Sequence, residues 1–177
     1  MPESRIDERS ESGIPWATPM SWQAVNQTVD YHLQRYRADL NQPEILAREI
    51  KSCLNTVFPI LDALCAHSCP WCPEPCCLSA SVWFDFKDLL FLHFNTLSIS
   101  PAQPKADFKT PCRYLGPRGC RLPRIARPWI CTWYLCPTQT AKLKNGEAHK
   151  REFIAHAIAQ IKSDRNLLEC EFIRIIS

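Results

Sequence analysis

Nine of the eleven cysteines fall within residues 65–136, and their spacing is that of ligands, not of packing. The segment opens CAHSCPWCPEPCC and resumes, after an apolar insert, as TPCRYLGPRGCRLPRIARPWICTWYLC. Buried cysteine serves as a small hydrophobe, but core positions recur at helix or strand period and rarely stand two residues apart between prolines. A metal needs several sulfurs to converge on one point, at about 2.3 Å for zinc.

Two groups emerge from the spacing. The first is Cys69, Cys72, Cys76 and Cys77, with Cys65 four residues ahead; the second is Cys112, Cys120, Cys131 and Cys136. A CxxC step lets two thiolates and the intervening N–H groups share one metal, and thiolate ligation suits Zn2+ or an iron–sulfur cluster. Adjacent cysteines do not easily point at one ion, so Cys76 and Cys77 either serve different sites or one is a spectator. Cys53 lies in a helical apolar stripe and reads as a core thiol. His67 and His93 are weaker candidates, because a lone histidine more often hydrogen-bonds than ligates.

Charge is unevenly spread. Residues 100–151 carry eleven bases against two acids, a net +9, so the remainder of a chain of formal charge +3 holds −6. Arg113, Arg121 and Arg127 lie close to cysteines in sequence, where cations stabilise thiolates. Trp71, Trp129, Trp133 and Tyr134 interleave with this region and suit a lid over a metal. A stacking platform for nucleic acid is the alternative, weaker reading.

The elements that position these residues are helical. A length of 177 residues with 46% apolar content is enough for one core. Residues 1–18 read as a flexible polar tail, and residues 19–177 as a single domain. Within it, 19–64 reads as a helical hairpin, with Trp22, Val25, Val29, Leu33, Tyr36 and Leu40 on the first stripe. Leu46, Ile50, Leu54, Val57 and Leu61 continue on the second, where Pro59 marks the expected position of a kink. Residues 65–137 form the cysteine-cluster core, in which 65–77 is too rich in proline for regular structure and 79–84 reads as a short strand. Asp85 and Asp88 mark the start of a helix, 101–111 reads as a polar linker, and Gly116, Pro117, Arg118 and Gly119 as a type I turn. Residues 145–176 read as C-terminal helices with a break near Asp164. The fold class is mainly α, with few or no strands and a loop-rich, metal-knit centre.

The motifs CPWCPEPCC and TPCRYLGPRGCRLPRIARPWIC resemble the YkgJ-like cysteine-cluster family, a zinc- or iron-chelating domain with a CxxCxxCC signature. Cys69, Cys72, Cys76 and Cys77 match the opening, Cys112 and Cys120 the middle pair, and Arg127, Pro128 and Cys131 an RPxxC element. Pro73, Glu74 and Pro75 put three residues before the CC pair where the family usually has two, which leaves open a register using Cys65, Cys69 and Cys72. Cys136 lies outside the minimal signature. The resemblance implies metal chelation. It also extends to flagellin lysine methylases, so a cluster-dependent methyltransferase or redox enzyme stands as an alternative, and a zinc-stabilised nucleic-acid module as another. Cys65, Cys69 and Cys72 spell CxxxCxxC, but no alternation of strand and helix is present to build the barrel of a radical enzyme. No apolar run of about 18 residues exists to span a bilayer, and residues 1–20 lack the apolar core of a secretory signal. A cytoplasmic protein with reduced thiols is therefore expected, with a metal as its principal partner and a protein partner left open.

Overall fold

A short polar cap starts the first helix. In the computed structural model, which describes residues 13–145 and 148–177, Thr18 Oγ1 accepts from the backbone N–H of Ser21 at 3.1 Å. Pro19 occupies the first turn, where its missing donor costs nothing. Helix α1 (Pro19–Arg35) then buries Trp22, Val25 and Val29. Residues 1–12 lie outside the described residues, so most of the expected tail does too. The packed chain nonetheless begins before Pro19: Ile14 is fully buried, and the Pro15 carbonyl accepts from Gln103 Nε2 at 2.8 Å.

Two long helices form the frame. Helix α2 (Asn41–Ser68) runs through Pro59 and buries Leu46, Ile50, Leu54, Val57, Leu61 and Leu64 at steps of three and four. Because it extends to Ser68, Cys65 belongs to a helix and not to the loop. After the one-turn α3 (Cys76–Ser79) comes α4 (Phe86–Phe94). A reciprocal box starts α4 as the Asp85/Asp88 spacing predicts: Asp85 Oδ1 accepts from Asp88 N at 2.7 Å, and Asp88 Oδ2 from Asp85 N at 3.0 Å.

Beyond a two-residue hairpin of β1 (Leu115–Gly116) and β2 (Gly119–Cys120) lie α5 (Trp129–Trp133), α6 (Pro137–Lys144) and α7 (Ala148–Ile176). The molecule is mainly helical, and this hairpin is the only sheet among the described residues. The Gly-Pro-Arg-Gly turn closes it, with Leu115 paired to Cys120 and Gly119 at φ +107°, a conformation open to glycine.

The expected hairpin of the first two helices is replaced by a different pairing. Helix α2 packs chiefly along α7, and α1 on α4. The α7 stripe explains the choice, since Ile154, Ala157, Ile161, Leu168 and Phe172 are buried at helical spacing. Each of the larger of these side chains contributes about 1.5–3 kcal/mol when removed from water. Helix α7 is also continuous where a break near Asp164 was expected. Arg165 occupies a core position of the stripe, 3% exposed, and its charge is answered: Nη2 meets Asp85 Oδ1 and Nη1 meets Asp88 Oδ1, both at 2.9 Å. Its guanidinium also lies 5.1 Å from the Trp129 ring centroid, and Trp129 N donates to Asp88 Oδ1 at 3.0 Å. Burial pushes the Asp88 carboxyl up to about 7 against the opposing pull of Arg165. This network fixes α5, which carries a cysteine, to α4 and α7.

The strand expected over 79–84 does not form, and the polar linker expected over 101–111 is not loose. Ser79 ends α3 and residues 80–84 are irregular, yet Val82 and Phe84 are buried, and Gln103 takes the place of a ladder partner. Its Oε1 accepts from Phe84 N at 2.8 Å and its Nε2 donates to Phe84 O at 3.1 Å. The expected polar linker over 101–111 is correspondingly packed at Ala102, Gln103, Pro104 and Lys105. Lys105, 1% exposed, directs Nζ at the Leu78 carbonyl of α3, 3.4 Å away.

Candidate metal centre

Three separate pieces of chain bring cysteines to one end of α2. The last turn of α2 and the turn after it supply Cys65 and Cys69; α3 supplies Cys76 and Cys77; the chain leading into the hairpin, the hairpin itself and α5 supply Cys112, Cys120 and Cys131. The pieces are tied by backbone. Cys112 N donates to Cys77 O at 3.2 Å, which clamps the start of the hairpin to α3. A Cβ placed on Gly119 would lie 3.7 Å from Cys69 Cβ, so the hairpin tip stands against the Cys69 turn.

At the α2 end, Cys65 is held by cationic and neutral donors. Arg124 Nη2 lies 3.0 Å from its Sγ and Gln139 Nε2 3.5 Å away. The Cys69 thiol, one helical turn on, bonds to it as well; together with Arg124 it pulls Cys65 down to about 5 despite burial. Cys69 is correspondingly pushed up, first by the proton it holds for Cys65 and then by burial. Cys76 and Cys77 repeat the pattern: the bond from Cys77 brings Cys76 down to about 6, while Cys77 is raised.

Beyond α3, burial pushes Cys131 up to about 12, and the charges of Cys120, Cys112 and Cys76 push the same way. Cys112 is raised too, by burial and by Cys120. Cys77 also feels Cys120 and Cys131. The sulfurs are thus close enough to oppose one another's ionisation. A bound cation reverses that sign, since it replaces repulsion between thiolates with attraction to a shared centre. The donor set therefore suits a thiophilic metal. As they stand, no group of three or more histidine, cysteine, aspartate or glutamate side chains among the described residues is disposed to hold a metal ion. The thiols are neighbours and not a formed coordination shell.

Of the predicted ligands, Cys69, Cys76, Cys77, Cys112, Cys120 and Cys131 fall into this neighbourhood. No described sulfur contact brings in Cys72 or Cys136. Cys72 is exposed, its N–H bonded to Cys69 O at 3.3 Å; Cys136 precedes α6 and gives its N–H to Gln139 Oε1 at 3.3 Å. His67 is exposed. His93 is committed elsewhere, with Nδ1 at 2.7 Å from Asp30 Oδ1 and Nε2 at 2.9 Å from Asn26 Oδ1. Cys53 is half-buried beside the Ala157 carbonyl, as its helical position predicts, and burial raises it. All eleven cysteines are free thiols.

The arginines are rearranged relative to expectation. Arg121 Nη2 donates to Arg113 O at 2.6 Å and Arg127 Nε to Leu122 O at 2.9 Å, while the Arg127 charge favours the Cys131 thiolate. The cation that touches sulfur is Arg124, 7% exposed, which also reaches Asp62 Oδ1 at 2.5 Å, Thr132 O at 3.0 Å and Leu61 O at 3.3 Å. Gln139 is the second residue that spacing alone did not mark; its Nε2 also meets Ser68 Oγ at 2.9 Å and Cys69 Sγ at 3.9 Å. A polar residue at the N3 position of a proline-started helix was the one available signal. Nor do the tryptophans form the expected lid: Trp71 is 83% exposed, and Trp129 lies beneath Arg165. No described helix is long and apolar enough to cross a membrane. Comparison with protein-family models, curated proteins and solved structures finds no match for this chain.

Proposed function

We propose that this protein chelates a thiolate-bound metal, Zn2+ or an iron–sulfur cluster, through the cysteines gathered at the end of α2, in a reducing compartment such as the cytoplasm. One observation carries the reading: Cys112 N donates to Cys77 O at 3.2 Å and the hairpin tip at Gly119 stands against Cys69, so cysteine-bearing segments distant in the chain meet beside the end of α2. The resemblance to the YkgJ-like cysteine-cluster family supports the same chemistry. A structural metal contributes about 10–16 kcal/mol apparent, comparable with a domain's whole net stability of about 5–15 kcal/mol. On this reading the metal orders the cysteine-bearing segments.

The nucleic-acid reading has less support, because Arg124, Arg121 and Arg127 from its basic run spend donors on the protein's own carbonyls or carboxylates. The test is anaerobic purification followed by metal and acid-labile sulfide analysis with visible absorption. A colourless protein with stoichiometric zinc, or a coloured one with iron and sulfide, supports chelation. Protein free of both, with every thiol open to a thiol reagent, overturns it.

A further inference from the structure

We propose that Lys105 is the buried counter-cation of the metal–thiolate centre, its ammonium balancing the negative charge that the cysteines beside α3 carry once they hold a metal. The inference rests on the chelation reading and adds to it a condition on charge: the occupied centre is net negative. Lys105 is 1% exposed, and its hydrogen bond runs from Nζ to the Leu78 carbonyl at 3.4 Å. Among the described residues no carboxylate forms an ion pair with it. The other two buried bases of permanent charge are both answered, Arg124 by Asp62 and Arg165 by Asp85 and Asp88. A buried ammonium without an anion is costly, and a lysine stem is long enough to carry its charge out to water where nothing holds it inside.

The surroundings place that charge beside the cysteines. Gln103 ties the chain just before Lys105 to Phe84 and to the Pro15 carbonyl. Pro104 O accepts from Arg113 N at 2.9 Å, so Lys105 leaves the backbone against the segment that bears Cys112. At its other end, the Leu78 carbonyl that it meets follows directly on the Cys77 carbonyl, which takes Cys112 N at 3.2 Å. The ammonium and the Cys112 amide thus bind successive carbonyls of α3, the single turn that carries Cys76 and Cys77. The unpaired carbonyls at the end of a helical turn account for a hydrogen-bond donor there, and a neutral side chain would serve. They do not account for a full charge shut away from water. Zn2+ held by more than two thiolates is net negative, and so is a four-cysteine iron–sulfur cluster. A fixed cation stabilises such a centre strongly in a low-dielectric interior, and the same cation stands unbalanced while the thiols are protonated and metal-free.

The test is titration of reduced, metal-free full chain with Co2+, read by thiolate-to-cobalt charge-transfer absorption, with the urea midpoint of the metal-free protein measured in parallel. Lys105→Met removes the charge and the hydrogen bond; Lys105→Gln removes the charge and keeps a donor for Leu78 O. Both should bind Co2+ about 10–100-fold more weakly than wild type, with the same cobalt per chain. The metal-free midpoint of Lys105→Met should stay level or rise, because an apolar chain of like length replaces an unanswered charge. That pairing of signs separates a counter-cation from a merely structural lysine, whose loss lowers affinity and metal-free stability together. Wild-type affinity in either variant, or a metal-free Lys105→Met that unfolds more readily than wild type, overturns the inference and leaves chelation standing. No cobalt bound by wild type overturns both.

Discussion

Replacing Arg124 by methionine removes the one guanidinium that joins α2 to the segment bearing Cys131, and its cost can be assembled from the contacts. Asp62 is 58% exposed and rehydrates on losing its partner, so that ion pair contributes only about 0–1 kcal/mol. The Thr132 carbonyl loses a buried donor at 3.0 Å, an unsatisfied group costing about 1–3 kcal/mol. Leu61 O keeps its helical partner and loses only a second, longer bond of 3.3 Å. The half-buried Cys65 thiolate loses a charged donor at 3.0 Å, about 1 kcal/mol. Methionine refills most of the apolar stem, which leaves a net loss of about 2–4 kcal/mol. With a urea m-value of about 2 kcal/mol/M, the midpoint of reduced, metal-free protein at pH 7.5 should fall by about 1–2 M. Arg124→Lys should fall between, since it keeps the charge and loses the fork. A loss under about 0.5 kcal/mol for Arg124→Met would refute the reasoning, because that is the scale of an ordinary surface change.

Other outcomes follow from the same contacts. In metal-free protein Cys65 is held as thiolate down to about pH 5, so it should alkylate with iodoacetamide at pH 6.5 ahead of Cys131, which is pushed up to about 12; the reverse order would contradict the site's electrostatics. Because the folded Cys65 binds fewer protons than the unfolded thiol between about 5 and its ordinary value of 9, its contribution to stability is full above pH 9 and lost as pH falls to 5. The denaturation midpoint of wild type relative to Cys65→Ser should therefore rise from pH 6 to pH 8.5, and a fall would count against it. Arg165→Met strands Asp85 and Asp88 and should cost about 3–5 kcal/mol by urea unfolding, with part recovered by adding Asp88→Asn. No recovery would mean the ion pair is not the reason. Pro59 is exposed inside α2, so Pro59→Ala should raise stability by about 1–3 kcal/mol; a decrease would show that the proline is favoured by its context.

How much the sequence disclosed depends on whether a residue's role is local. Steps of three and four marked α1, α2 and the first half of α7, and the Asp85–Asp88 spacing marked α4, because those signals act within one or two turns. Arg165 hid the continuity of α7: a charge on an apolar stripe looks like a break until carboxylates from another helix are seen to meet it. The same applies to the candidate site. The cysteines declared themselves by spacing, but Arg124 and Gln139 meet Cys65 from about 60 to 74 positions away in the chain, and no local pattern distinguishes them from their neighbours. Gln103 and Lys105 were unreadable for a related reason. A polar stretch is buried when its side chains replace missing strand partners, and only the three-dimensional arrangement shows those carbonyls and amides.

The central claim is that these sulfurs exist to gather around inorganic ions. Its most direct measurement is the quantity of zinc, iron and acid-labile sulfide per chain in protein isolated without oxygen and without added metal, alongside a count of thiols reactive under native conditions. Stoichiometric metal, with cysteines of the 65–131 region shielded from reagent until a chelator is added, is the predicted result. Metal-free protein whose cysteines react equally fast before and after chelator would contradict it.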